Sequence, residues 1–164
     1  MENLILGSNE IDISDILEIS KSAGEIILDI YGKDYSIVQK ESSSQKSGYA
    51  PLTEADTKSH EFIVKSLSKL YPNIPILSEE GKGISFEERK SWSLFWLVDP
   101  LDGTKSFINK DGDFTVNIAL VHQGKPILGV VYVPVKDTFY YADKVNGSFK
   151  KSTNQEPQKL PIKQ

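Results

Sequence analysis

Between Ile16 and Tyr31 the apolar residues Ile16, Ile19, Ala23, Ile26, Ile27, Ile30 and Tyr31 recur at steps of three and four. That period gathers apolar side chains on one stripe of an α-helix. Asp12, Ser14 and Asp15 stand where a helix cap is expected, and Gly32 stands where the helix should end. A second stripe, Phe62, Ile63, Ser66, Leu67 and Leu70, predicts a helix over residues 53–71 that Pro72 closes. Between the two, "YSIVQK" reads as a short strand and "ESSSQKSGYAP" as a polar, serine-rich surface loop of poor order.

After Pro72 the pattern changes. "IPIL" reads as a short strand, "FEERKSWS" as a turn of helix, and "LFWLV" as a strand buried on both faces that stops at Asp99. "FTVNIALVHQGKPILGVVYVP" contains two strand runs joined by a glycine-containing turn, and "TFYYAD" and "GSFKK" are two weaker strands. Two helices followed by an antiparallel meander predict an α+β fold, with the helices packed on one face of a mainly antiparallel sheet. The tail "KKSTNQEPQKLPIKQ" is polar and aperiodic, which suits a linker or frayed end. The expected division is a domain over residues 1–150 and a tail over 151–164.

Composition narrows the chemistry. At 164 residues the chain can bury one real core. Its 19 basic and 23 acidic residues leave a charge of −4 and form no basic block, so broad nucleic-acid binding has no electrostatic footprint. The absence of cysteine excludes a disulfide, a thiolate nucleophile and a thiolate-bound metal. His60 and His122 have no partner at ligand spacing and read as a helix-face residue and a hairpin residue. A metal would therefore sit on oxygen atoms. The start "MENLILGSNEIDIS" lacks the marks of a secretory leader, and no apolar run reaches the roughly 20 residues of a membrane span. A soluble, cytoplasmic protein is expected.

"WLVDPLDGTKSF" drives an apolar run into two carboxylates, Asp99 and Asp102, with Pro100, Leu101 and Gly103 between and after them. Two carboxylates and a carbonyl at such short range repel one another unless a cation lies among them, and hard oxygens suit Mg²⁺. The N–H groups of Gly103, Thr104 and Lys105 could receive phosphate oxygens at a helix start. An ordinary turn in which the aspartates cap a helix uses the same residue types. Glu79 and Glu80 in "PILSEEG" admit two readings too, as further ligands or as a solvated loop. Thr53 and Asp56 have the spacing of a capping box. An EF-hand is excluded, because "NKDGDFTVNIAL" has Phe114 where that loop needs glycine and no glutamate at its end.

In order along the chain, "PLTEAD", "ILSEEG", "WLVDPLDGTKSFI" and "GDFTVNIAL" resemble the Mg²⁺-dependent, lithium-sensitive phosphatases of the inositol monophosphatase family, from about Ile16 to Lys150. "DGTKSFI", "FTVNIALV" and "GKPILGVVYVPV" resemble its 3'(2'),5'-bisphosphate nucleotidase branch. The resemblance implies the first domain of the inositol monophosphatase and sugar phosphatase fold, and a phosphomonoesterase that takes 3'-phosphoadenosine 5'-phosphate to AMP. An inositol or sugar phosphatase is the alternative within the family. Two or three Mg²⁺ ions are implied in a complete enzyme. Glu79 and Asp99, with the Leu101 carbonyl, would bind one ion, and Asp99 and Asp102 a second. Thr104 and Asp56 would orient the attacking water with help from Glu79. Glu79, Leu101, Asp102, Gly103 and Thr104 would face the substrate, the main chain of Gly103 and Thr104 receiving phosphate.

The family pattern also includes a second α/β domain with a "WD" aspartate, a dipeptide this sequence lacks. The resemblance therefore raises the expectation of a fragment retaining partial metal binding, or of a subunit completed by another chain or by self-association through an exposed apolar face. By resemblance, residues 42–47 would lie near the active site as a lid, and peripheral placement at the inner face of a membrane is implied.

Overall fold

Asp12 starts the first helix, α1 (Ile13–Tyr31), by accepting the Ser14 N–H at 2.8 Å. The bond satisfies a donor that a helix start leaves orphaned, and the Ser14 hydroxyl, followed by this N–H, holds the Asp12 carboxyl below the usual carboxylate range. The stripe expected from the apolar period is the buried one: Ile16, Ile19, Ala23, Ile27 and Ile30 are at most 5% exposed. Gly32 ends the helix, its N–H donating to the Leu28 carbonyl at 2.8 Å. The computed structural model describes residues 1–7, 9–33, 49–81, 83–153 and 155–161, with 49–53 described as backbone only. "YSIVQK", the serine-rich loop and the side chain of Thr53 lie outside the described residues.

The second helix, α2 (Tyr49–Leu70), starts earlier than residue 53. Pro51 falls in its first turn, where an N–H would have no partner within the helix, so proline does not delay the start. The correction matters for Asp56. With a full turn of helix already before it, Asp56 is not a cap, and its carboxylate is free for another role. Ala55, Ser59, Ile63 and Leu67 face inward.

Among the described residues one sheet has the order β3 (Ile76–Ser78), β4 (Leu94–Asp102), β5 (Thr115–His122), β6 (Lys125–Val133), β7 (Thr138–Asp143), β8 (Gly147–Ser152) and β9 (Gln158–Lys159). β3 pairs parallel with β4, and all later pairs are antiparallel. Short helices α3 (Phe86–Arg89) and α4 (Thr104–Asn109) flank β4. Gln123 and Gly124 take φ of 50° and 73°, the mirror-image turn that matches strand twist, and so join β5 to β6. The α+β architecture with helices on one face is the one the pattern predicts. Among the described residues no helix is long and apolar enough to cross a membrane.

Four details differ from the sequence reading. A hairpin of β1 (Leu4–Leu6) and β2 (Asn9–Ile11) precedes α1 and buries Leu4 and Ile11; three-residue strands are too short to show a period. β4 is not buried on both faces. Trp96 and Val98 point into the core, while Leu97 is 45% exposed, because α1 and α2 cover only the inner face. Nor does β4 stop at Asp99: it runs on to Asp102, with its register against β5 shifting between the two aspartates. The tail is not simply frayed either. Gln158 and Lys159 pair with Lys150 and Phe149, since main-chain pairing requires no apolar side chain.

Gly24 is where α1 crosses Tyr132. A Cβ there would stand 2.4 Å from Tyr132 Cε1 and 3.1 Å from Pro134 Cγ. Tyr132 cannot yield, being buried, stacked on Phe139 at 4.2 Å and bonded through its hydroxyl to Asp137 at 2.9 Å. Alanine gains about 1 kcal/mol of helix propensity, but overpacking costs about 1–3 kcal/mol. Gly24→Ala is expected to lower stability by about 1–2 kcal/mol in urea denaturation.

Candidate active site

Acids from three chain segments meet at one end of the sheet. Ser78, the last residue of β3, pairs with Val98, and the Glu79 N–H donates to the Val98 carbonyl at 3.0 Å, so Glu79 leaves β3 beside Asp99. α2 contributes Asp56, half-buried at the start of its third turn. The Asp56 carboxyl is pushed up to about 7, first by burial and then by the charges of Glu80, Asp99 and Glu79. Burial pushes Asp99 up to about 6, aided by Glu79 and Asp102 and partly opposed by the Leu101 N–H. Asp56 and Asp99 therefore each feel the acids around them.

The turn that carries Asp99 and Asp102 is held from several sides. The Ser59 hydroxyl donates to the Pro100 carbonyl at 2.9 Å inside the protein, and Leu101 is buried. Gly103 takes φ +92°, and a Cβ on it would meet the Asp113 carbonyl oxygen at 2.6 Å and Phe114 Cα at 3.0 Å. Only glycine fits a left-handed residue pressed so closely against backbone. Asn117 lies opposite Asp99 on β5 and donates its side-chain amide to Asp102 Oδ2 at 3.4 Å.

Among the described residues, Asp56 Oδ1, Asp99 Oδ1 and Asn117 Oδ1 are buried without a hydrogen-bond partner. Orphaned buried acceptors are costly, and three of them facing like charges form an arrangement that a cation would relieve. Among the described residues no group of three or more acidic or histidine side chains is gathered so as to hold a metal ion as it stands. The donor set nevertheless suits a hard divalent cation, since all its atoms are oxygens and Glu79, Glu80 and Asp102 are exposed side chains able to turn toward an ion.

Of the residues singled out in the sequence, Glu79, Glu80 and Asp99 act on Asp56, Glu79 and Asp102 act on Asp99, and Leu101, Gly103 and Thr104 follow on the same turn and helix start. Thr104 is exposed, and no hydrogen bond among the described residues joins it to Asp56 Oδ1. The sequence reading overlooked Ser59 and Asn117 and set His60 aside. His60 Nδ1 lies 2.8 Å from Ser78 Oγ, tying α2 to the end of β3. The available signal was helical spacing, because Ser59 and His60 stand three and four residues after Asp56 and so share its face.

The raised carboxyls carry a stability consequence. Asp56 and Asp99 start from 3.8, so the folded chain holds these protons more tightly than the unfolded one. Their contribution is full below about pH 4 and is lost as pH rises through 6 and 7. In EDTA, the melting temperature is expected to fall between about pH 4 and pH 7 on this account, and Asp56→Asn, which has no proton to lose, is expected to flatten the fall.

A profile of the inositol monophosphatase family matches residues 11–164. The 3'(2'),5'-bisphosphate nucleotidase CysQ of Haemophilus influenzae is 42% identical over 151 residues, which cover 92% of this chain and 54% of that protein. The protein of the same name from Salmonella typhimurium is 45% identical over 132 residues, covering 79% of this chain and 51% of its own. The crystal structure of CysQ from Bacteroides thetaiotaomicron matches with a TM-score of 0.76 at 36% identity, over 93% of this chain and 59% of that one. The chain thus spans about half the length of the curated relatives it matches. The layered fold, the acid-bearing turn and a profile match over nearly the whole sequence agree: the chain belongs to the inositol monophosphatase family.

Proposed function

We propose that the chain carries the phosphate-releasing site of a Mg²⁺-dependent phosphomonoesterase acting on a 3'(2'),5'-bisphosphate nucleotide, converting 3'-phosphoadenosine 5'-phosphate to AMP and phosphate. The observation that carries this reading is the meeting of Asp56, Glu79 and Asp99 from three segments around orphaned buried oxygens. Similarity to the bisphosphate nucleotidases supports the substrate class. Glu79, Asp99 and the Leu101 carbonyl would hold one Mg²⁺, and Asp99 and Asp102 a second. When bound, the ions neutralise charge on the attacking and leaving oxygens of an in-line displacement.

The chain's own groups do the rest. Asp56 orients the attacking water with Thr104 and takes its proton, with Glu79 assisting. The N–H groups of Gly103 and Thr104 receive the phosphate oxygens. The water oxygen bonds to phosphorus, the bond from phosphorus to the ribose 3' oxygen breaks, and a proton returns to that oxygen. The expected domain over residues 1–150 contains the ion-binding acids, while β8 crosses that expected boundary and β9 continues the same sheet beyond it. The outer sheet face leaves Leu97 and Val131 exposed, an apolar surface suited to a second domain.

The test is phosphate release from 3'-phosphoadenosine 5'-phosphate, with inositol monophosphate as comparator. Release is expected with Mg²⁺, to be lost in EDTA, to be suppressed by Li⁺ and to be faster from the nucleotide. Release indifferent to EDTA would remove the metal reading, and a preference for inositol monophosphate would remove the nucleotide reading.

A further inference from the structure

We propose that Ser59 and His60, neighbours on α2 one turn beyond Asp56, are positioning residues that set the other two acid-bearing segments against Asp56. The inference rests on the reading above, that these acids hold Mg²⁺.

Ser59 is fully buried, and its hydroxyl donates to the Pro100 carbonyl at 2.9 Å. Pro100 adjoins Asp99 at the place where the register of β4 against β5 slips. Proline has no N–H, so the sheet cannot hold this stretch through a donor on residue 100. The Ser59 hydroxyl restrains it from the helix side.

His60 reaches the other segment. Its Nδ1 lies 2.8 Å from Ser78 Oγ, and Glu79 is the next residue. β3 is a three-residue strand at the sheet edge, paired along one side by β4. Backbone pairing alone therefore supports Glu79 weakly, and the imidazole adds a tether from above. Either tautomer serves, since the serine hydroxyl can donate to Nδ1 or accept from it.

Residues at i, i+3 and i+4 share one helix face. α2 thus carries one acid itself and grips the residues next to two others. Ion binding depends on such supporting contacts because ligands only fractions of an ångström out of place bind poorly, and loss of an outer partner costs about 10–100-fold in affinity.

The experiment measures the Mg²⁺ concentration giving half of the Mg²⁺-induced rise in melting temperature, together with that for half-maximal phosphate release. His60→Ala, Ser78→Ala and Ser59→Ala are each expected to raise it about ten-fold. The His60→Ala/Ser78→Ala double variant is expected to match the worse single variant, as partners in one contact should. His60→Gln, which can still bond to Ser78, is expected to recover most of the loss. Ser78→Ala removes one hydroxyl from a half-buried edge strand, so the test stands even where His60→Ala does not fold. Lower melting in EDTA with an unchanged Mg²⁺ half-point would mean that the contacts merely support the fold, and would overturn the proposal. So would additive His60 and Ser78 effects. A parent chain with no Mg²⁺ response at all would overturn the underlying metal reading and this inference with it, a result distinct from the other two.

Discussion

Asp99→Asn is expected to reduce phosphate release about 10³-fold or more while leaving the metal-free protein no less stable at about pH 8. The two effects have opposite origins. Asp99 is the acid assigned to both ions, so its loss removes the charge that holds them together. In the metal-free protein the same charge is a burden, since burial, Glu79 and Asp102 all oppose its ionisation. An asparagine has the same shape and no charge, and its amide can donate to Asn117 Oδ1, which is buried without a partner and lies opposite it in register. The expected signature is a melting temperature in EDTA that holds or rises, with the Mg²⁺-induced rise abolished. General damage would lower both melting temperatures. A Mg²⁺ shift preserved in Asp99→Asn would remove Asp99 from the ligand set.

Gly103→Ala is expected to cost about 3 kcal/mol of folding and most of any phosphate release. A non-glycine residue in the left-handed region pays about 1–2 kcal/mol by itself. The remainder comes from overlap with the Asp113 carbonyl oxygen at 2.6 Å and Phe114 Cα at 3.0 Å, backbone atoms that cannot rotate away. Phe114 is fully buried and packs edge-on against Tyr31 and Phe107, with centroids at 5.0 and 5.5 Å. The turn must therefore give, shifting Asp102 and Thr104 together. Gly124→Ala is the control, because Gly124 has φ +73° and nothing within 4 Å of an added Cβ. Its cost is expected to be the conformational part alone, about 1–2 kcal/mol. Urea midpoints measured side by side separate the two.

The elements with a strong period were legible in the sequence. The stripe from Ile16 to Ile30 and the strands from Thr115 to Asp143 stand where the pattern put them, because burial on one face leaves a repeat that needs no tertiary knowledge. What the pattern could not supply was the number of covered faces. "LFWLV" reads the same whether Leu97 faces a helix layer or open surface. The hairpin before α1 and the pairing of Gln158 and Lys159 are held by main-chain bonds, which leave no side-chain trace. In the site, the acids were visible as residues and the turn as a motif. Ser59 and His60 were legible only as sharing a helix face with Asp56; their partners were not, since a serine bonding a proline carbonyl 41 positions away leaves no trace in the sequence.

The sheet is bounded among its described strands by β3, of three residues, and β9, of two. A border that short offers an incoming strand few free N–H and C=O groups. Open-ended growth by strand addition, the geometry of fibrils, therefore finds little template at either side, even though the broad surface bearing Leu97 and Val131 is apolar.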